Sequence, residues 1–404
     1  MHRAHKIKLQ PTKEQEQYFV HACGVARFAY NWALSEWIKE YANGGKPTEA
    51  NLRKRLNAIK KDQFPWMSDV TKCAPQQAIK NLGSAFNNFF IQVGKGCVPG
   101  HPKFKKKGVN DRFRADNGPN DSKSNSFECV GKTIKLPKCG VVKTKEVLRF
   151  SGRTISATVS KQADGWYVTV LVDTNDIMSG PLGRGVVGVD LGIKNFAVLS
   201  TGEYFPTLVT NNKIKTRLAI LSRNLSRKKK GSRNREKAKT KLSKLHKKIH
   251  NIRIDAIHKL THKLATEFDT IAIEDLNVKK LLKTKNISSY IANSGFGEFR
   301  RQIEYKSDMT GASVFVADRF FPSSKTCSSC GKIHEMKLQN RVMDCECGNV
   351  VDRDLNAAIN LKQNAISLIV SACGDDGAGS CGNTTTNLLS MKQEDLKTPF
   401  KSER

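Results

Sequence analysis

At 404 residues the chain has room for two or three domains, each with a core of its own. Lysine and arginine outnumber aspartate and glutamate by 69 to 37, a formal charge of +32, which points to a polyanionic partner and to nucleic acid before membrane. No run reaches the ~18 apolar residues of a membrane span, MHRAHKIKLQ is no signal peptide, and the odd count of eleven cysteines argues against a secreted disulfide scaffold, leaving a reducing cytoplasm.

Ala4 to Leu9 alternates like a strand, and Pro11 ends it. Thr12 with Gln15 forms a capping box for a helix carrying Tyr18, Ala22, Val25, Ala29 and Trp32 on one face. Asn43-Gly44-Gly45 stops that helix, and Pro47-Thr48 opens a second with Leu52, Leu56 and Ile59. A third, roughly Pro75 to Val93, aligns Ile79, Leu82, Phe86 and Phe89, aromatics better suited to a core than to stacking on bases. Gly94 to Lys107, GKGCVPGHPKFKKK, reads equally as a solvated loop or as a backbone contact for nucleic acid through Lys103 and Lys105. Between Phe127 and Val172 the spacing predicts strands at Thr133–Leu136, Val147–Phe150, Ile155–Ser160 and Trp166–Val172. Strand, helical insert and further strands suggest a small β-barrel interrupted by helices, with Asp173 to Gly183 as the linker onward.

Gly185 to Ser200, GVVGVDLGIKNFAVLS, is the stretch around which the rest is organised. Two apolar runs flank one acid, Asp190, and a carboxylate on a buried strand is costly unless it is paired or binds a metal. The next segment is the most basic: sixteen Lys or Arg lie between Lys213 and Lys248 against one acid, Glu236. Leu218, Leu221 and Leu225 mark one helix, and Ala238, Leu242, Leu245, Ile249 and Ile252 mark another. SRKKKGSRNR, with Arg227 and Lys229, joins them into a hairpin whose outer face suits phosphates.

Thr270 to Leu276 is a further apolar strand with Glu274 at its carboxyl end, Ala312 to Phe320 is another, and Val351 to Leu361 reads as a helix with Asp354 in its first turn. Each acid alone reads as a cap or turn residue. Together, Asp190, Glu274 and Asp354 form a hard-oxygen donor set for Mg²⁺, and a pair of such ions suits phosphodiester hydrolysis without a catalytic histidine or serine. Cys327-Ser-Ser-Cys330 followed by Cys345-Glu-Cys347-Gly348 has zinc-ribbon spacing, although the second pair is one residue tighter than a CxxC knuckle. His334 is a candidate substitute for one thiol, and a redox dithiol is the competing reading. A four-thiolate site is closed and structural, so zinc is not expected to perform the hydrolysis.

The stretches GVDLGIKNFAV, IAIEDLNVKKL, SGFGEFRRQIEYK, FFPSSKTCSSCG and CGNVVDRDLNAAINL span the C-terminal half, and in them the chain resembles TnpB. This OrfB-type family of insertion-sequence proteins comprises RNA-guided DNA nucleases related to type V CRISPR effectors. IKLQPTKEQ, KNLGSAFNNFF and HPKFKKK extend the likeness more loosely to the N-terminal half. The resemblance implies a multidomain α/β plus β-barrel fold. An RNase H-like (RuvC) nuclease domain at 181–321 and 351–372 would carry a zinc ribbon inserted at 322–350. A wedge β-barrel at 1–11 and 112–180 would be interrupted by a helical recognition module at 12–111, and 373–404 would be a flexible tail containing Cys373 and Cys381.

It further implies catalytic roles for Asp190, Glu274 and Asp354, with Asp352 the lesser candidate of the two acids in DRD. Cys327, Cys330, Cys345 and Cys347 become zinc ligands, and Lys72 and Gln76 resemble positions that read a motif flanking the target. The expected cofactors are Mg²⁺, structural Zn²⁺ and a guide RNA derived from the transposon end. The expected partner is double-stranded target DNA, in the cytoplasm at the nucleoid. Two competing functions remain open on the residues alone. One is a strand-joining acid-triad transposase, although that class usually runs Asp, Asp, Glu. The other is a non-catalytic zinc-ribbon regulator.

Overall fold

The computed structural model describes residues 1–118, 126–174, 180–207, 212–284, 288–337 and 340–374. The tail after residue 374, Cys381 included, and residues 175–179 of the expected linker lie outside them. The chain divides into two compact units, Met1–Asp176 and Ile177–Arg404.

The first unit begins with β1 (His2–Gln10) and then three helices, α1 (Lys13–Ala42), α2 (Glu49–Gln63) and α3 (Cys73–Gly94). The capping box at α1 forms as the sequence predicts: Gln15 N–H donates to Thr12 Oγ1 at 3.3 Å, and Thr12 N–H to Gln15 Oε1 at 3.1 Å. Strands β2 (Arg112–Asp116), β3 (Glu128–Val130), β4 (Thr133–Leu136), β5 (Gly140–Thr144), β6 (Arg153–Gln162) and β7 (Gly165–Asp173) follow. They form one sheet with β1, in the order β2-β6-β7-β1-β5-β4-β3. Phe19 of α1, Phe113 and Trp166 meet in the core, and Trp37 stacks on Phe86 with ring centroids 4.2 Å apart. Phe86 of α3 thus acts as core, in keeping with its spacing, whereas Phe89, also expected there, is half-buried and packs on His101 at the margin.

Two expectations in this unit need correction. Val147–Phe150 forms no strand: Arg149 N–H donates to His5 Nδ1 at 3.2 Å, and Leu148 and Phe150 pack on the core from an irregular segment. The strand lies earlier, at β5, and β2 also forms where none was expected.

The second unit is built on a five-stranded sheet. Its strands are β8 (Val186–Asp190), β9 (Asn195–Leu199), β10 (Tyr204–Pro206), β11 (Thr270–Glu274) and β12 (Ser313–Ala317), in the order β10-β9-β8-β11-β12. β8, β11 and β12 run parallel, β9 pairs antiparallel with β8, and β10 pairs antiparallel with β9. Helices α4 (Asn212–Ser226) and α5 (Arg233–Glu267) form the basic hairpin, and α6 (Val278–Leu281), α7 (Ser288–Ser294) and α8 (Phe296–Thr310) connect β11 to β12. A short hairpin, β13 (Val342–Asp344) and β14 (Val350–Asp352), then leads into α9 (Arg353–Gly374).

Strand alternation divides this core into two faces. Val187, Val189, Ile271 and Ile273 point to one face, against Ile257, Leu260 and Leu264 of α5 and Phe299 and Ile303 of α8. Val186, Ala272, Phe315 and Ala317 point to the other, against Leu361 and Ala365 of α9. Gly188 makes this second packing possible: a Cβ there would lie 1.9 Å from the Ala358 carbonyl oxygen.

The last helix starts two residues later than its sequence suggests. Val350 and Val351 pair across β13, and the Asp352 carboxylate then accepts from the N–H groups of Asp354 (3.0 Å) and Leu355 (3.2 Å), closing the first turn of α9. The expected strand Ala312–Phe320 is likewise shorter, and Phe320 projects into solvent beyond it.

Candidate active site and metal centre

Asp190 is the last residue of β8 and Glu274 the last of β11, adjacent parallel strands whose register places Val189 opposite Ile273. Asp190 shares strand parity with Val186 and Gly188, and Glu274 with Ala272, so both carboxylates face the side that α9 covers. Asp354 enters from the first turn of α9. All three are half-buried. Burial first, then the negative charges of Glu274 and Asp354, push the Asp190 carboxyl well above its ordinary value, while Arg353 offsets part of the effect. Asp354 is raised as well, by burial and then by Asp352, against the opposing charges of Arg341, Arg353 and Lys194. The fold therefore gathers the three acids into one cluster whose mutual repulsion a hard divalent cation would relieve, and the donor set fits magnesium.

Asp275, the next residue after Glu274, has different surroundings. Arg300 Nη1 donates to it at 2.7 Å and Arg319 also pairs with it. Burial opposes ionisation there, but the two guanidiniums outweigh it and hold Asp275 below the usual carboxylate range. Glu274 instead accepts from a neutral donor, the Ser323 hydroxyl, at 2.5 Å. Sequence reasoning named neither Ser323 nor the two arginines as neighbours of these acids.

The four cysteine sulfurs, from Cys327, Cys330, Cys345 and Cys347, lie within 4.8 Å of one another. Cys327 and Cys347 are 3.7 Å apart and Cys330 and Cys345 3.5 Å, too far for disulfides and close to the roughly 3.8 Å edge of a tetrahedron of thiolates around zinc. The tighter CxC pair therefore still converges. Burial disfavours ionisation of Cys327, yet N–H groups of Cys330 and Ser329 and the Asn349 amide bring its thiol down to about 6, while, against backbone N–H donation, the neighbouring thiols push Cys345 and Cys347 up. His334 Nε2 sits 3.2 Å from Cys345 Sγ, beside the cluster. The thiol set fits a closed structural zinc.

The candidate nucleic-acid residues are dispersed. Lys72 and Gln76 lie together at the start of α3, Lys72 exposed and Gln76 half-buried. Near α3 a cavity of about 160 Å³ is lined by Gln77, Asn81, Lys105, Arg112 and Arg114. Lys103 is exposed, whereas the Lys105 ammonium sits 3.6 Å above the centre of the Tyr30 ring. Asn31 holds the Lys105 backbone from both sides, and burial, with Arg112, lowers this lysine to about 8. Lys105 is thus tied into its own unit, and Lys103 is the freer of the pair to meet a phosphate. Arg227 and Lys229 are exposed at the tip of the α4–α5 hairpin.

Three family profiles match the chain: one described as a probable transposase over residues 169–285, the Cas12f1-like TNB domain over 296–361, and a helix-turn-helix domain over 1–46. A Streptomyces pristinaespiralis protein, named by inference as an RNA-guided DNA endonuclease, is 33% identical over 399 residues, covering 97% of this chain and 96% of its own. An Escherichia coli K12 protein with the same kind of name is 30% identical, covering 92% and 94%. Among solved structures, Cas12f1 in a cryo-EM complex with single-guide RNA and target DNA superposes with a TM-score of 0.58 at 16% identity, covering 87% of this chain and 83% of that one. That likeness is one of fold.

Proposed function

Because the chain belongs to the TnpB (OrfB-type) family, we propose that it is an RNA-guided DNA endonuclease that hydrolyses target DNA beside a short flanking motif. The observation that carries the reading is the placement of Asp190 and Glu274 at the ends of two adjacent parallel strands, on the face that α9 covers, with Asp354 in the first turn of that helix. The strand order of the second sheet, with α9 across its opposite face from α5 and α8, supports an RNase H-like nuclease domain at 181–321 and 351–372, interrupted by the ribbon at 322–350.

In this reading Asp190, Glu274 and Asp354 would hold two magnesium ions. Bound there, such ions generate a nucleophilic water and stabilise the leaving oxygen of a phosphodiester. The chain's own residues supply the setting. Asp190 feels the charge of both other acids, and Arg353, Arg341 and Lys194 add positive potential that favours an incoming phosphate backbone. The products carry 5′-phosphate and 3′-hydroxyl ends. The four thiols would hold a zinc ion that supports the fold and takes no part in the hydrolysis.

Sequence specificity is delegated to base pairing with a bound RNA from the transposon end. The first unit, as wedge and helical recognition module, holds that RNA and reads the flanking motif with Lys72 and Gln76. The test is to sequence the RNA that copurifies with the full chain and to assay cleavage of a plasmid carrying the matching target. Cutting that requires the RNA and Mg²⁺, and that Asp190→Ala abolishes while RNA binding persists, is the expected result. Cleavage by Asp190→Ala at the wild-type rate, or protein that carries no RNA, overturns it.

A further inference from the structure

Glu274 of the acid cluster and Asp275 beside it are adjacent acids in opposite circumstances. Asp275 is neutralised by Arg300 and Arg319. Glu274 meets no cation closely enough to pair with it among the described residues, and its Oε1 accepts from the Ser323 hydroxyl at 2.5 Å. The difference matters chemically. A guanidinium competes for the negative charge that a metal needs, whereas a neutral hydroxyl fixes one oxygen and leaves the charge and the second oxygen available. A glutamate also has three side-chain torsions, one more than an aspartate, so without an anchor its carboxylate would sample several positions at the strand end.

Ser323 is itself held in place. It is 4% exposed, its N–H donates to the Phe321 carbonyl at 2.9 Å, and its own carbonyl accepts from the Asn360 amide of α9 at 2.7 Å. Asn360 and Asn356, both buried, also donate to the Thr326 carbonyl at 2.6 and 2.7 Å, and Asn356 Oδ1 accepts from Ser328 N–H at 2.9 Å. The residues from Ser323 to Ser328 are therefore clamped to the helix whose first turn carries Asp354, and the same segment enters the thiol cluster at Cys327. Glu274 arrives on a different strand, and Ser323 is its tie to this assembly.

From this geometry we infer that Ser323 is a positioning residue, which registers Glu274 against Asp354 through the clamped knuckle and leaves its charge free for a divalent ion. The inference rests on the nuclease reading and adds to it a residue outside the acid triad and outside the thiol site. Groups that orient a metal's ligands typically contribute 10–100-fold to metal affinity, so the effect is measurable by binding alone.

The experiment titrates Mn²⁺, which electron paramagnetic resonance detects directly, into the zinc-replete full chain freed of nucleic acid. Wild type, Ser323→Ala, Ser323→Thr and Asp190→Ala are compared, and melting temperature and zinc content are measured on each. Ser323→Ala should weaken Mn²⁺ binding about 10-fold at wild-type melting temperature and zinc content, with Ser323→Thr restoring it to within about 3-fold because the hydroxyl is kept. Mn²⁺ affinity unchanged in Ser323→Ala, or equally weakened in Ser323→Thr, overturns the positioning role while Asp190→Ala still loses binding. An Asp190→Ala chain that binds Mn²⁺ as tightly as wild type overturns the metal-site reading itself.

Discussion

Glu298, in the first turn of α8, accepts from Arg301 at 2.6 and 2.9 Å and from the Gln302 amide at 2.9 Å. The Arg301 hydrogen bonds, working against burial, bring its carboxyl down to about 2. A carboxyl depressed on folding adds stability that is fully present above its unfolded value of about 4.3 and disappears as the pH falls towards the folded one. The window is therefore roughly pH 4.5 to 2. Arg301 is well exposed, so solvent screening reduces the contribution to about 1 kcal/mol. Glu298→Gln should lower stability at pH 7 by about that amount and flatten the fall in stability below pH 4.5, as read by denaturant unfolding across pH. Equal acid sensitivity in the variant would contradict the assignment. At this same scale, adjacency in the chain says little about role: Glu274 and Asp275 differ in whether a hydroxyl or two guanidiniums approach, and Asp352 and Asp354 in whether the carboxylate caps a helix or joins the cluster.

Among the elements, α9 has the narrowest tolerance. It lies directly on β8 because Gly188 has no side chain, and an added Cβ would meet two backbone atoms, the Ala358 oxygen at 1.9 Å and the Lys362 nitrogen at 2.7 Å. Backbone cannot rotate away as a side-chain end can, so the helix must shift and carry Asp354 with it. Gly188→Ala should cost about 1–3 kcal/mol or more, lower the melting temperature by several degrees and slow cleavage severely. A variant that melts and cuts like wild type would refute the close packing. The α4–α5 hairpin is the opposite kind of element. No residue of α4 is fully buried, and only from Leu245 onward does α5 contribute buried side chains, so the basic end projects from the core as an arm.

For the whole molecule, the charge of +32 is concentrated: the segment from Lys213 to Lys248, with sixteen cations and one acid, carries nearly half of it. Binding to guide RNA or DNA should weaken linearly on a log–log plot against salt, as counterions are released. Replacing both Arg227 and Lys229 with alanine should weaken binding similarly for every sequence and reduce the salt slope by about 1.4 to 1.8, since each phosphate contact contributes roughly 0.7–0.9. Filter binding between 50 and 300 mM salt measures this, and an unchanged slope would remove the hairpin tip from the interface. Among the described residues no helix is long and apolar enough to cross a membrane.

How much of this could be read from the chain alone follows from which forces are local. The Thr12 capping box, the helical faces of α1 to α3, the strands that end in Asp190 and Glu274, and the spacing of the cysteines depend on neighbours a few residues away, and periodicity carries them. Boundaries were less legible where a long-range partner intervenes. Val350 and Val351 become a strand because β13 pairs with them, and Val147–Phe150 does not because His5 takes its backbone N–H. α8 left a signal in Phe296, Phe299 and Ile303, at helical spacing, but its ends are set by glycines in the left-handed region at 295 and 311. By itself the sequence determined which residue types the protein offers to metals and phosphates and roughly what local shape holds each. Only the tertiary structure decided that β8 lies beside β11, that α9 crosses over Gly188, and that Ser323 reaches Glu274 from 49 residues away. Such meetings depend on the path of the whole backbone and on packing against it, which no local preference encodes.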